Sequence, residues 1–555
     1  MRNKMVIVSM ILGLFVFLTA NLFAQDVFTR MAEIPMPEAD LNNGGCGNMV
    51  SGVDLDGDGA LEIYLVNDNW NDGPSELIPR IYKLEKSGGD WQMVWHAVPD
   101  IPFQNTWPPL AVADLDKDGK QELIWGVINF TGTTNPNPPR VLVYECKGDG
   151  SDVLGVDDGS GGYKPNASWT IAPDNDVNLR PTRWIIADPD NDGTNEIIFS
   201  DRTGTTGGYF FGVMSVSDIP DNGDGSETWT LETSGKDHVL LTGIENKWDV
   251  AAMGSNFYFF CEIEIAKLSW DGSAWNYTSL SPLAAGASFI SSQVLDLDGD
   301  DKLETICGIY DWGDDSKKGI YLLQEEGDTL KATELVNTVK YWPSGTRGIV
   351  GGAHGDIDQD GKMDFVFGSR ASTPNAGIFR LEYQGGDITS PASYEFSIID
   401  SLYREADGIW SVINLANVDD DPHLEVLYAS SSSIGDMFGQ STPPIVILDL
   451  VSTAVEQQKS AQPADYALSQ NYPNPFNPNT AISYSVPTST HVTLKIYNVM
   501  GKEIKTLVNE TRSAGIHSVT WDGTNNAGQK VTSGIYFYSL KADNFTDTKQ
   551  MILMK

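Results

Sequence analysis

The chain is poor in positive charge: across 555 residues, 36 Lys and Arg face 76 Asp and Glu, a formal net charge of −40 at pH 7. A surface this acidic repels phosphate backbones and anionic headgroups, which excludes nucleic acid as a partner and favours bound cations. Histidine is scarce, with 6 residues and no cluster at metal-ligand spacing. So is cysteine: Cys46, Cys146, Cys261 and Cys307 lie far apart, without a CxxC pair or a haem-attachment motif. They read equally as buried thiols on strands or as disulfide partners in an exported chain. No GxSxG elbow, HExxH helix or P-loop occurs, so catalysis has no recognised motif to rest on. Long apolar runs are missing as well. The one candidate, Met5 to about Ala20, is shorter than the roughly 20 residues that span a bilayer. With Arg2 and Lys4 before it and small residues up to Ala24 after it, it has the form of a secretory signal peptide over residues 1–24. No transmembrane helix is expected in the mature chain.

What the chain has in quantity is Gly (54), Pro (28) and 41% hydrophobic residues, a balance that suits short strands joined by turns. Within it one acidic pattern recurs six times, with oxygen-bearing side chains at positions one, three, five and nine and usually Gly at six. The sets are Asp54, Asp56, Asp58 and Glu62; Asp114, Asp116, Asp118 and Glu122; Asp188, Asp190, Asp192 and Glu196; Asp296, Asp298, Asp300 and Glu304; Asp356, Asp358, Asp360 and Asp364; and Asn417, Asp419, Asp421 and Glu425. Asp301 replaces the sixth-position Gly of the fourth set, which predicts a strained turn, and Pro422 replaces it in the sixth. Each set sits between aliphatic and aromatic runs that read as strands, with two more strand-like runs following in each unit. Four strands per unit is the composition of a propeller blade.

The sets start at 54, 114, 188, 296, 356 and 417, so the step from 188 to 296 is about twice the usual one. A degenerate unit without the acidic ligands is expected there, over residues 247–260. The long step after 114 comes from a Gly-, Ser- and Asp-rich insertion, Lys147 to Pro165, expected to be an exposed flexible loop. The last unit shows three strands, and Val27 to Ile34 resembles the missing fourth. It is therefore expected to pair with Ile445 to Leu450 and close the array.

These repeated loops between paired strands resemble the FG-GAP/VCBS repeats of integrin-α-type propellers. The resemblance implies an all-β chain with a seven-bladed β-propeller over residues 25–450. Alternating carboxylates on a tight turn suit Ca²⁺, which takes six to eight hard oxygen ligands. The expected cofactor is structural Ca²⁺, up to six ions, one for each set. Packing the carboxylates together without a cation would incur repeated like-charge repulsion.

Residues 451–465 are polar and read as a linker. Residues 466–555 hold several strand-like runs punctuated by Gly and Asn, which predicts a small Ig-like β-sandwich. Tyr472 to Pro478, Ile496 to Gly501, Val519 to Gly523, Gly534 to Tyr538 and Lys549 to Lys555 resemble the type A C-terminal sorting domain of the type IX secretion system. That implies the secretion machinery as a partner and passage across a Gram-negative outer membrane to the surface or medium. One further feature recurs where the chain enters successive units: Trp107, Arg183, Trp184, Lys247, Trp248, Arg347 and Trp410. These side chains read either as wedges between blades or as a site for a glycan or an extracellular protein. The expected function is a secreted, calcium-stabilised binding or adhesion protein of the cell surface. A polysaccharide-acting, lyase-like enzyme on the same scaffold is the alternative.

Overall fold

The computed structural model describes residues 27–37, 45–68, 78–87, 89–101, 107–127, 138–171, 179–201, 209–238, 247–260, 264–280, 288–310, 318–341, 346–371, 375–403, 408–409, 412–419, 421–429, 445–451, 466–468, 471, 480–512 and 515–553. The expected signal peptide, nearly all of the expected linker, the proline-rich segment 472–478 and Trp410 lie outside them. The chain divides into two compact units, one of Val27–Val451 and one containing Ser452–Lys555.

In the larger unit, successive strands pair antiparallel into four-stranded meanders. The first sheet is Gly45–Val53, Glu62–Asp68, Ile81–Ser87 and Asp90–Ala97. Its second strand is buried along its whole length, whereas its fourth is mostly exposed. This explains why the second strands read as unbroken apolar runs: both faces are covered by neighbouring sheets. Further sheets start from Leu110–Ala113, Pro181–Ala187 and Asp249–Met253. Two more, starting from Ser288–Leu295 and Thr346–Gly355, are joined by the single pair Tyr310 and Gly348. The sheet starting from Asp249–Met253 is the degenerate unit, its first hairpin turning at Gly254 with φ 63°.

The last sheet starts from Val412–Ala416 and takes its fourth strand from the other end of the unit. Val27–Ile34 pairs antiparallel with Ile445–Val451, from Val27 opposite Val451 to Ile34 opposite Ile445, as the sequence predicted. Arg30 reinforces the junction with a bidentate pair to Asp400 on the preceding sheet, Nε at 2.9 Å and Nη2 at 3.0 Å. The core is divided among the spaces between sheets: Leu123 and Trp125 pack beneath Tyr64 and Ile81, Ile197 and Phe199 beside Ile124 and Val143, and so on. The last such cluster joins Val412, Leu427 and Ile447 to Met49, Ile63 and Leu65 of the first sheet. The first strands likewise contact one another in chain order, and Val412–Ala416 returns onto Gly45–Val53.

The insertion after the second sheet's third strand departs from the expected flexible loop. Val156–Asp157 pairs with Tyr163–Lys164, Leu154 is fully buried, and the Tyr163 ring lies 6.0 Å from that of Trp95. Apolar Leu154 and Tyr163 anchor a segment whose composition otherwise reads as solvated. Cys46, Cys146 and Cys307 are buried free thiols, and Cys261 lies outside the described residues.

The C-terminal unit is a sandwich. One sheet holds Ala467–Leu468, Thr480–Val486 and Gly515–Trp521; the other holds Glu503–Arg512, Thr490–Asn498, Gly534–Ala542 and Phe545–Leu553. Their inner faces share a core around fully buried Trp521, Tyr538 and Ile482, and the Trp521 indole N–H donates to the Thr524 carbonyl at 2.9 Å.

Candidate functional site

All six acidic sets lie on the hairpin between the first and second strands of a sheet, and local hydrogen bonds shape each turn. In the Asp54 loop the Asp54 carboxylate accepts the Gly57 and Gly59 N–H groups at 2.9 and 3.1 Å. Asp56 accepts that of Asp58 at 3.2 Å, and Asp58 that of Ala60 at 2.7 Å. These contacts recur with small variations in the other loops. In five loops position six takes a left-handed backbone, with φ 90° at Gly59, 93° at Gly119, 95° at Gly193 and 87° at Gly361, and Asp301 is held there at φ 66°. Most non-glycine residues resist that conformation.

The ninth-position acid begins the second strand and is buried in all six loops. One of its oxygens accepts the N–H of position two, as from Leu55 to Glu62 at 2.8 Å and Val418 to Glu425 at 2.6 Å. In the Asp188 loop position two is Pro189, which has no N–H to give, and both Glu196 oxygens are buried without a partner. The second oxygens of Glu122 and Glu425 are buried and unpartnered too. Burial, with neighbouring acids adding to it, pushes the Glu122 and Glu196 carboxyls up to about 9 and that of Glu425 up to about 7. Unpaired buried carboxylates are costly, and a hard divalent cation would satisfy these oxygens. In the Asp114 loop, oxygens of Asp114, Asp116, Asp118 and Glu122 already lie within 4.8 Å of one another. Asp54, Asp56 and Asp58, and Asp188, Asp190 and Asp192, form similar groups.

Basic side chains from the third strand enter two of the loops, a feature the spacing of the acids does not reveal. Fully buried Lys83 on the third strand places Nζ 2.6 Å from Asp56 and 2.5 Å from Glu62. It also reaches Asp152 of the insertion at 2.7 Å. Burial works against its charge, but Asp152, Asp56 and Glu62 outweigh that and raise its pKa. Arg380 bridges Asp364 at 2.6 Å and Asp358 at 3.0 Å in the Asp356 loop. Lys120, within the Asp114 loop, pairs with Asp118 at 3.2 Å and with Glu145 at 2.5 Å, and also reaches Asp221 of the next sheet. The available sequence signal was a basic residue set directly between apolar ones in the third strand, Lys83 between Tyr82 and Leu84 and Arg380 between Phe379 and Leu381.

Residues from the first strands, or just before them, line a single cavity of about 150 Å³. It includes four of the predicted ligand residues, Trp107, Arg183, Trp184 and Trp248. They divide by burial. Trp184 is 6% exposed, lies in the core between the second and third sheets, and packs so closely on Gly126 that a Cβ there would come within 2.8 Å of its ring. It is a wedge. Trp107 and Trp248 are half-buried. Arg183 is half-exposed, its Nε 3.6 Å from an oxygen of Asp249, which is buried and accepts the Ser292 N–H at 2.7 Å. Lys247 does not join them: it is fully buried and pairs with Glu264 at 3.2 Å. The side chain of Arg347, like Trp410, lies outside the described residues. Asn48, Asp249 and Ser291 also line the cavity, and nothing in their sequence context marked them. Trp107 and Ser291 have φ of 49° and 63°, so strained backbone borders the cavity on two sides.

Two family descriptions match parts of the chain: FG-GAP-like repeat over residues 54–125 and FlgD Ig-like domain over residues 479–545. No curated protein matches the chain. Among solved structures, PorZ of Porphyromonas gingivalis, described as an essential bacterial surface component of the type IX secretion system, is aligned over 92% of this chain and 82% of its own. The identity is 9% and the TM-score 0.15. The stretch from the first acidic loop to the second strand of the next sheet is thus similar to an FG-GAP-like repeat, and the C-terminal sandwich to an Ig-like domain.

Proposed function

We propose that the larger unit is a seven-bladed β-propeller, stabilised by structural calcium, that binds a ligand at the mouth of its central channel outside the cell. The observation that carries this reading is the convergence of the first strands, in cyclic contact, on one cavity bearing Trp107, Trp248, Arg183 and Asp249. A half-buried aromatic face beside a guanidinium and a carboxylate suits a ligand with flat apolar faces and many hydroxyls, which is the chemistry of a glycan. The calcium reading rests on the buried, unpartnered oxygens of Glu122, Glu196 and Glu425. With Asp and Glu ligands, Ca²⁺ would pin the hairpin that starts a blade; its role is structural, because no loop ligand lines the cavity. The similarity of residues 479–545 to an Ig-like domain, together with the ordered C-terminal motifs, supports export by type IX secretion and a surface or extracellular location.

The test pairs a glycan-binding screen with a polysaccharide depolymerisation assay, each with calcium and with chelator. Retention of a glycan without cleavage, abolished by Trp107→Ala in a folded protein, is the expected result. Release of shortened products would replace the binder with the lyase-like enzyme. No retention of any glycan would overturn the ligand assignment.

A further inference from the structure

The six acidic loops are not chemically equal, and strand pairing reveals the difference. Ten residues after each loop begins, the second strand pairs with one residue of the third. The pairs are Tyr64 with Lys83, Ile124 with Val143, Ile198 with Val213, Ile306 with Leu322, Val366 with Arg380, and Leu427 with Ile447. The third-strand position is therefore the same in every sheet. It is aliphatic in four and basic in two.

Where it is basic, the side chain joins the third-position carboxylate to the ninth. Lys83 Nζ lies 2.6 Å from Asp56 and 2.5 Å from Glu62. Arg380 lies 3.0 Å from Asp358 and 2.6 Å from Asp364. These cations use up the ninth-position acid. Glu62 Oε2 accepts the Leu55 N–H and the Tyr64 hydroxyl while Oε1 faces Lys83. Asp364 Oδ2 accepts the Ile357 N–H while Oδ1 accepts Arg380 Nε. Where the position is aliphatic, no basic side chain among the described residues pairs with the ninth acid, and Glu122 and Glu425 each keep a buried oxygen with neither hydrogen bond nor ion pair, Glu196 two; Glu62 Oε1 also lacks a hydrogen bond but has the Lys83 ion pair.

We propose that the Asp54 and Asp356 loops are closed by a tethered side-chain cation and take no calcium, whereas the Asp114, Asp188, Asp296 and Asn417 loops take one ion each. A divalent ion held by the same carboxylates would sit beside a buried ammonium or guanidinium, and like charges at that range in a poorly solvated site repel strongly. In the Asp114, Asp188 and Asn417 loops a metal would offset buried acid oxygens that have no other partner, and the Asp296 loop shares their aliphatic third-strand position. The inference rests on the calcium reading above and assigns which loops obey it.

Counting bound calcium in the full chain, after chelation and back-titration, by atomic emission and by calorimetry, tests it. Four ions per chain are expected. Any other nonzero number overturns the assignment while leaving the calcium reading intact, and a count of zero overturns the calcium reading itself. Lys83→Met and Arg380→Met should each raise the count from four to five, because they recreate the surroundings of the Asp114 loop. A folded variant still binding four would overturn the tethered-cation role. Val143→Lys is the reverse swap and should lower the count to three. Because the wild-type count alone discriminates, the test survives a variant that does not fold.

Discussion

Arg30→Met probes how the array closes. Arg30 lies on the strand drawn from the start of the unit, and its guanidinium grips both oxygens of Asp400, whose side chain is 9% exposed. Tyr428 donates its hydroxyl to the same carboxylate at 2.6 Å. Methionine keeps most of the stem packing and deletes the charge, so the loss measures the carboxylate left behind. Breaking a buried pair in this way costs about 3–5 kcal/mol. The Arg30 side chain is 30% exposed, which lets water reach the site and lowers the expected cost to about 2–3 kcal/mol. Unfolding entropy grows with chain length, so in a unit of this size that loss moves the melting temperature by only about 2–3 °C. Scanning calorimetry resolves such a shift. The cost is assigned to a stranded charge, so Arg30→Met combined with Asp400→Leu should recover at least half of it. The reasoning fails if the single variant melts within half a degree of wild type, or if the double variant shows the simple sum of two losses.

Other outcomes follow from the same geometry. Asp301→Gly should stabilise the protein by about 1 kcal/mol by relieving a left-handed backbone, read as a higher denaturant midpoint; an unchanged or lower midpoint would show that the turn is not strained. Metal-free protein should lose stability as pH rises from about 5 to 9. Glu122 and Glu196 have folded values near 9 against an ordinary 4.5, so they cost nothing while protonated in both states and progressively more as the pH climbs towards the folded value. Saturating calcium should flatten that slope, and melting curves in chelator that stay level across the range would contradict it. Trp184→Ala should cost about 3–5 kcal/mol as a core truncation, whereas Trp107→Ala should leave the melting temperature nearly unchanged and remove ligand binding. Equal destabilisation by both would make Trp107 a wedge as well.

Much of this protein is legible in its sequence because the relevant signals are short. A nine-residue window contains every acid of a loop, and the burial of both sheet faces leaves its mark as an unbroken apolar run such as Ile63 to Val66 within Glu62–Asp68. Counting strands in the last sheet was enough to call Val27–Ile34 as its closing strand, and the pairing with Ile445–Val451 follows. Even the awkward turn at Asp301 is visible, since only one residue type suits that backbone freely. Other features depend on what folding brings alongside. Trp107 and Trp184 look alike in sequence, yet one borders a cavity and the other fills the space between two sheets. Lys247 looks like a ligand residue until Glu264 is found against it. The insertion looks loose until Leu154 is buried and Asp152 reaches Lys83 on another sheet.

The strands, the six loops and the closing strand can be read along the chain, because turn chemistry and apolar patterning act over a few residues. Which acids meet a lysine or arginine, and which tryptophans reach the cavity, emerges on folding. Those outcomes depend on strand register and on the faces of neighbouring sheets, which bring together residues tens to hundreds of positions apart.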